Sequence, residues 1–132
     1  MNDDAVSVLA EAWIGYWRAS EESAEREALS WATDREWELV RESPLEAWQL
    51  IRAVLSRDQS IEIQEVLSAG PLEDLLAKHG EEIIGIVEAE AQSNPAFASL
   101  LGGVWKNSMS QAVWARVQAV WDRRGWDGES EA

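Results

Sequence analysis

The sequence predicts an all-α fold, an irregular bundle of seven or eight short helices. Apolar residues recur at intervals of three and four along most of the chain, and helix-capping and helix-ending residues separate these stretches. The one strand-like alternation, Ile61-Glu62-Ile63, is too short to form a sheet. Successive helices separated by Gly-Pro or Asn-Pro also fit HEAT-like helical hairpins, although no repeat of fixed period is present. With 132 residues, we expect one helical domain over 1–126 and a flexible acidic tail over 127–132.

The first half of the chain begins with a predicted helix that runs from the caps Asn2, Asp3 or Asp4 to about residue 19. The polar segment 20–28 fits either a solvated helix or a loop. Two capping boxes follow, with a Ser or Thr three residues before a Glu, and each predicts a helix start. They are Thr33-Asp34-Arg35-Glu36 and Ser43-Pro44-Leu45-Glu46.

The segment from Ala69 to Gly80 has the densest local signals. Gly70 is suited to end the preceding helix, and Pro71 is suited to the first position of a new one. Glu73 and Asp74 carry negative charge in the first turn, and Gly80 predicts the end of the helix. The sequence therefore predicts a short helix from Pro71 to Gly80, with helical segments on both sides.

After Gly80, the sequence predicts a central helix over 81–93, because its apolar face is wide. Gly85 in this helix is expected to permit the close approach of a neighbour. A helix beginning at Asn94-Pro95 is expected to break at Gly102-Gly103, and the last helix is expected over 108–124.

Composition restricts the classes of function. The formal net charge of −14 repels nucleic acid and anionic membrane surfaces and attracts basic partners. Without cysteine, neither disulfides nor thiolate metal sites form, which fits a cytoplasmic protein. The first residues lack the pattern of a signal peptide, and no apolar run reaches the length of a membrane span. The nine tryptophans indicate a folded core, with one or two left over as interface anchors.

Several motifs together resemble a bacterial domain family of unknown function. They are Gly70-Pro71-Leu72-Glu73-Asp74-Leu75-Leu76, His79-Gly80, Val104-Trp105 and, upstream, Pro44-Leu45-Glu46-Ala47-Trp48. The resemblance extends roughly from residue 13 to residue 121. It implies a small all-helical bacterial protein, and it implies no activity.

The residues offer little that is typical of catalysis. His79 is the only histidine, and a single histidine lacks the partners that nucleophilic or zinc chemistry needs. We therefore expect its imidazole to bond a carbonyl or to pack at a helix end, rather than to act as a base with Glu82. Among the carboxylates, Glu88 is the most open to another role, because it lies in the most apolar helix. The sequence predicts no catalytic residue, no metal site and no cofactor.

Charge and size favour a non-enzymatic cytoplasmic protein that occupies a basic surface of a partner protein, as an immunity protein or antitoxin does. Direct nucleic-acid and membrane binding are not expected. The candidate partner-binding residues are Glu21, Glu22, Glu25, Glu81, Glu82, Glu88, Glu90 and Trp126. The alternatives are a nucleic-acid mimic that inhibits a CRISPR or restriction system, a small-ligand domain or enzyme with a pocket near His79 and Glu88, and a homodimer.

Overall fold

The computed structural model describes residues 1–126, and this part of the chain is all-helical, as predicted. The expected tail over 127–132 lies outside the described residues. A π-helical turn, Ser68–Leu72, joins α5 to α6. The helices are α1 (Asp3–Arg18), α2 (Ala24–Ala28), α3 (Ser30–Glu42), α4 (Pro44–Arg57), α5 (Ile61–Leu67), α6 (Glu73–Ser93), α7 (Pro95–Leu101) and α8 (Gln111–Val120).

The core lies where α1, α3, α4 and α6 meet, and α7 and α8 pack on the remaining sides of α6. The central position predicted for the helix over 81–93 is therefore correct. Most core side chains are aliphatic, and Trp48 and Phe97 add an edge-to-face aromatic pair with centroids 5.2 Å apart. The largest fully buried side chains include Trp13, Leu39, Ile51, Leu76, Ile83 and Phe97. Within residues 1–126, no helix is both long and apolar enough to cross a membrane.

Side-chain caps fix several helix starts. Asn2, Ser23, Ser60, Asn94 and Ser110 each accept a hydrogen bond from a backbone N–H in the first turn of the helix that follows. The cap at Ser23 decides the open question about segment 20–28, which forms a turn followed by the short helix α2.

The predicted capping box at Thr33 is wrong, because α3 already begins at Ser30. The Thr33 hydroxyl donates to the carbonyl oxygen of Ser30 inside the helix. The second predicted start is correct in position. Ser43 is the N-cap residue of α4 and Pro44 the first helical residue, although no side-chain hydrogen bond caps this helix.

The predicted short helix from Pro71 to Gly80 is confirmed at its end, where the helical geometry breaks at His79, and it is wrong at its start. The chain passes Gly70 and Pro71 in a π-helical turn and continues directly into α6. A wider turn accommodates a proline, which has no N–H to donate and whose ring would clash in a regular helix. At the other end, α6 kinks at His79, where φ is −133° and ψ is 27°, and continues to Ser93.

Gly80 has a packing role besides the predicted helix break, and Gly85 lacks the packing role predicted for it. A Cβ atom on Gly80 would lie 3.0 Å from Val113, so Gly80 is where α8 closely approaches α6. A Cβ atom on Gly85 would meet nothing within 4 Å, and Gly85 is exposed. The expectation that Gly85 permits close packing is therefore wrong, and the absence of a side chain matters five residues earlier, at Gly80.

The last predicted helix, over 108–124, is shorter than expected. It ends at Val120, and the chain then turns back onto α7, where the Asp122 N–H donates to the carbonyl oxygen of Ala98. The predicted break at Gly102-Gly103 is confirmed, since α7 ends at Leu101.

Candidate partner-binding surface

The predicted carboxylates of the segment before α3 are displayed on a tight turn. Ser23 N–H donates to the Ser20 carbonyl oxygen, and Glu22 adopts the left-handed conformation with φ of 63°, which is uncommon outside glycine. Glu21, Glu22 and Glu25 are all exposed. Within residues 1–126 no hydrogen bond or ion pair holds their carboxylates, so their charge is available to a partner.

Arg26 lies among these carboxylates in sequence, but its guanidinium interacts with α1. Its Nε donates to the carbonyl oxygen of Tyr16 at 3.0 Å, and its Cζ lies 4.7 Å from the ring centre of Tyr16 and 5.2 Å from that of Trp17. The guanidinium therefore attaches α2 to α1 and leaves the three carboxylates unpaired.

Trp31 is the first tryptophan that follows these carboxylates in sequence, at the start of α3. Its side chain is 46% exposed, and it lines a groove of about 490 Å³ together with Asp34, Arg35, Glu38 and Arg41. Arg35 donates to Glu38 at 2.5 Å, whereas Asp34 has no hydrogen bond or ion pair among the described residues. We call Glu21, Glu22, Glu25, Glu27, Trp31 and Asp34 the α2–α3 surface.

The glutamates predicted on α6 are placed differently, because three of them contact neighbouring segments. Glu81 accepts from the Ser110 hydroxyl, and Glu88 accepts from Arg116 Nε at 2.8 Å. Glu90 accepts from the Asn94 amide and lies 3.5 Å from the Arg52 guanidinium. The Arg116 hydrogen bond and charge lower the pKa of Glu88.

Glu82 is exposed, with 60% of its side chain open to solvent, whereas the side chains of Glu88 and Glu90 are 25% and 19% exposed. The structure thus divides the predicted acidic residues into an unpaired set on the α2 segment and a largely paired set on α6. As partner-binding residues, both sets remain predictions.

A family model matches residues 19–125, which is most of the chain. The chain belongs to a family of unknown function, DUF6869. Membership confirms the predicted resemblance to an uncharacterised domain family. No curated protein and no solved structure matches the chain. The DUF6869 match contains the whole α2–α3 surface and the glutamates of α6, and it ends one residue before Trp126.

Trp126 is less available than its predicted role requires. Its indole Nε1–H donates to the carbonyl oxygen of Ser99 at 2.6 Å, and its ring lies against Gly102 and Gly103. The tryptophans that are exposed in this DUF6869 member are Trp31, Trp37 and Trp105. Because a sequence pattern does not say which face of a short helix is covered, it did not single out Trp31.

The two residues proposed for a pocket, His79 and Glu88, each interact with a different helix. His79 Nε2 lies 2.9 Å from the carbonyl oxygen of Val40, which confirms the expectation that the imidazole bonds a carbonyl. The Glu88 carboxylate pairs with Arg116 on α8. Neither residue lines the groove on α3, the groove beside α2, or the groove of about 620 Å³ between α1 and α4.

Glu36 has an environment that the capping-box pattern does not predict. Its spacing from Thr33 predicts a place in the first turn of a helix, but it lies inside α3 and is only 9% exposed. Burial raises the pKa of Glu36 to about 7; the nearby Trp13 indole opposes the rise, and the charge of Asp74 adds to it. The sequence does contain a signal for the burial of Glu36, which is its spacing. Glu36 shares a helix face with Ala32, Leu39 and Val40.

Proposed function

We propose that this chain is a small, non-enzymatic binding protein that occupies a basic surface of another protein through the α2–α3 surface. An immunity protein or antitoxin that neutralises a basic toxin acts in this way. The observation that carries the proposal is the combination of three unpaired carboxylates, Glu21, Glu22 and Glu25, with the exposed indole of Trp31.

The two parts of this surface suit two steps of association. A net charge of −14 accelerates the encounter with a basic partner, because long-range attraction steers diffusion. Exposed tryptophans are typical anchors of protein interfaces, because one indole buries a large area at a small loss of side-chain freedom. The carboxylates therefore supply the approach and Trp31 the anchor.

The proposal makes the binding of a partner dependent on Glu21, Glu22 and Glu25. The tagged full-length chain is used to capture proteins from extract of its source, with washes at low and then high salt. We expect a stoichiometric basic protein that salt releases, because exposed ion pairs are screened. In E21Q/E22Q/E25Q, we expect the Kd for this partner to rise about tenfold at low salt, since each exposed pair contributes roughly 0.2–1 kcal/mol.

A matched control separates this surface from net charge. The variant D4N/E62Q/E65Q removes three charges, unpaired within residues 1–126, from exposed positions on α1 and α5, and its Kd should stay within about twofold of the original. Equal weakening by both variants contradicts a specific surface, and an eluate that contains only the bait contradicts the proposed function. The identity of the partner then separates a toxin from a nucleic-acid enzyme, which is the target of the mimic alternative.

A further inference from the structure

This chain covers several of its aromatic rings with its own few cations. Arg26 lies over the rings of Tyr16 and Trp17, and Arg123 lies 5.0 Å from the ring centre of Trp121. These contacts are cation–π interactions, in which the negative face of the ring attracts the cation.

Trp37 follows the same pattern on α3. Although it is 43% exposed, Lys78 Nζ lies 5.2 Å from its ring centre and Arg41 Cζ lies 5.8 Å from it. An exposed indole on this helix therefore already has cations from its own chain beside it.

Trp31, one and a half turns earlier on the same helix, differs. Among residues 1–126 no cation lies over its ring, and the nearby Arg35 donates to Glu38 instead. Asp34 lines the same groove and has no hydrogen bond or ion pair in the described part of the chain. The groove thus combines an uncovered indole with an unpaired carboxylate.

From this combination we infer that the α3 groove receives an arginine side chain of the partner protein, with its guanidinium stacked on Trp31 and paired with Asp34. The inference rests on the proposed function and specifies the chemistry of its contact. Arginine fits better than lysine, because a planar guanidinium stacks on an indole and donates two parallel hydrogen bonds to one carboxylate.

The sign of the ligand charge follows from the pairing inside the groove. Both guanidiniums that line it are occupied, Arg35 with Glu38 and Arg41 beside Trp37 and 3.6 Å from Glu42. An indole face repels an anion, whereas Asp34 and the ring both attract a cation. A cationic side chain therefore satisfies the two open groups, and an anionic one satisfies neither.

The test uses the ¹⁵N-labelled full-length chain and three capped tetrapeptides, of arginine, lysine and citrulline. The W31L variant assigns the Trp31 indole signal by its loss. We expect tetra-arginine to shift this signal and the backbone signals of residues 31–38, with tetra-lysine binding several-fold more weakly and the uncharged citrulline peptide causing no shift. W31L and D34N should each weaken binding of tetra-arginine about threefold.

Two matched variants separate the groove from general attraction to an acidic protein. W105L removes a different indole that is 69% exposed, and E62Q removes a single exposed charge. Both should keep the Kd for tetra-arginine within about twofold. A Trp31 signal that does not move at millimolar tetra-arginine overturns the inference, and so does equal weakening by all four variants.

Failure of this inference is distinguishable from failure of the proposed function. Capture of a basic partner with the same Kd by W31L/D34N overturns the arginine groove and the anchor role of Trp31, and it leaves standing a binding function that depends on Glu21, Glu22 and Glu25. Capture of no partner contradicts the function, while the peptide titration still reports on the groove.

Discussion

Replacing Glu36 with glutamine is expected to stabilise the protein by up to about 3 kcal/mol at pH 8 and to have almost no effect near pH 4. The buried carboxyl has its pKa raised from 4.5 to about 7, and each unit corresponds to about 1.4 kcal/mol. Because the folded state holds this proton more tightly than the unfolded state, the associated stability is complete below pH 4.5 and is lost as the pH rises to about 7. Glutamine is neutral throughout and avoids this loss.

Urea unfolding of the original protein and of E36Q, between pH 4 and pH 9, measures this difference directly. Taking the difference cancels the pH dependence of the carboxylates that do not interact with Glu36. These include Asp58 and Asp122, which contribute in the opposite direction because their arginine partners lower their pKa values to about 2. The exposed Glu62 provides the control, since E62Q should show a small difference at every pH. A stability difference between E36Q and the original protein that does not grow between pH 5 and pH 7 would rule out a desolvated Glu36.

Glu36 also illustrates where the sequence was informative and where it was ambiguous. The order Thr33-Asp34-Arg35-Glu36 satisfies a local capping rule, and the spacing to Leu39 and Val40 equally places Glu36 on the buried face of a longer helix. Only the packing of α3 against α1 and α6 decides between these interpretations. The local rule fails here because α3 begins at Ser30, which places Thr33 inside the helix rather than at its start.

Helix starts were predictable where a side chain caps the first turn, as Asn2 and Asn94 do. Helix ends at glycine were less predictable, because glycine serves two unrelated purposes. Gly102 follows the end of α7, whereas Gly80 follows the kink of α6 at His79 and also makes room for Val113 of α8. Which purpose applies depends on a residue that is about thirty positions away in sequence, so no local pattern contains it.

The candidate surface was predictable in its charge and unpredictable in its anchor. The exposure of Glu21, Glu22 and Glu25 follows from a polar segment with no apolar face. Selecting Trp31 over Trp126 requires knowing that the chain after α8 folds back onto α7 and covers the indole of Trp126. This return is a tertiary contact, and the helical spacing of residues 108–124 had predicted a straight continuation instead.

The return of the chain after α8 makes Gly102 intolerant of any side chain. A Cβ atom there would lie 2.2 Å from the backbone carbonyl oxygen of Asp122 and 3.0 Å from the ring of Trp126. Asp122 has little freedom to move away, because its N–H donates to Ala98 and the neighbouring Arg123 donates to the Gly102 carbonyl oxygen. We therefore expect G102A to lower the free energy of unfolding by about 3 kcal/mol, as measured by urea denaturation.

Gly85 supplies the matched control, because the same substitution there adds a methyl group where nothing lies within 4 Å. In the exposed interior of α6, G85A should raise the free energy of unfolding by about 0.5–1 kcal/mol, since alanine loses less backbone freedom on folding than glycine does. If G102A lowers the free energy of unfolding and G85A raises it, the loss in G102A comes from the contact with segment 121–126. A G102A protein as stable as the original would instead mean that this segment does not rest on the end of α7, and Trp126 would then be available as the exposed anchor that the sequence predicted.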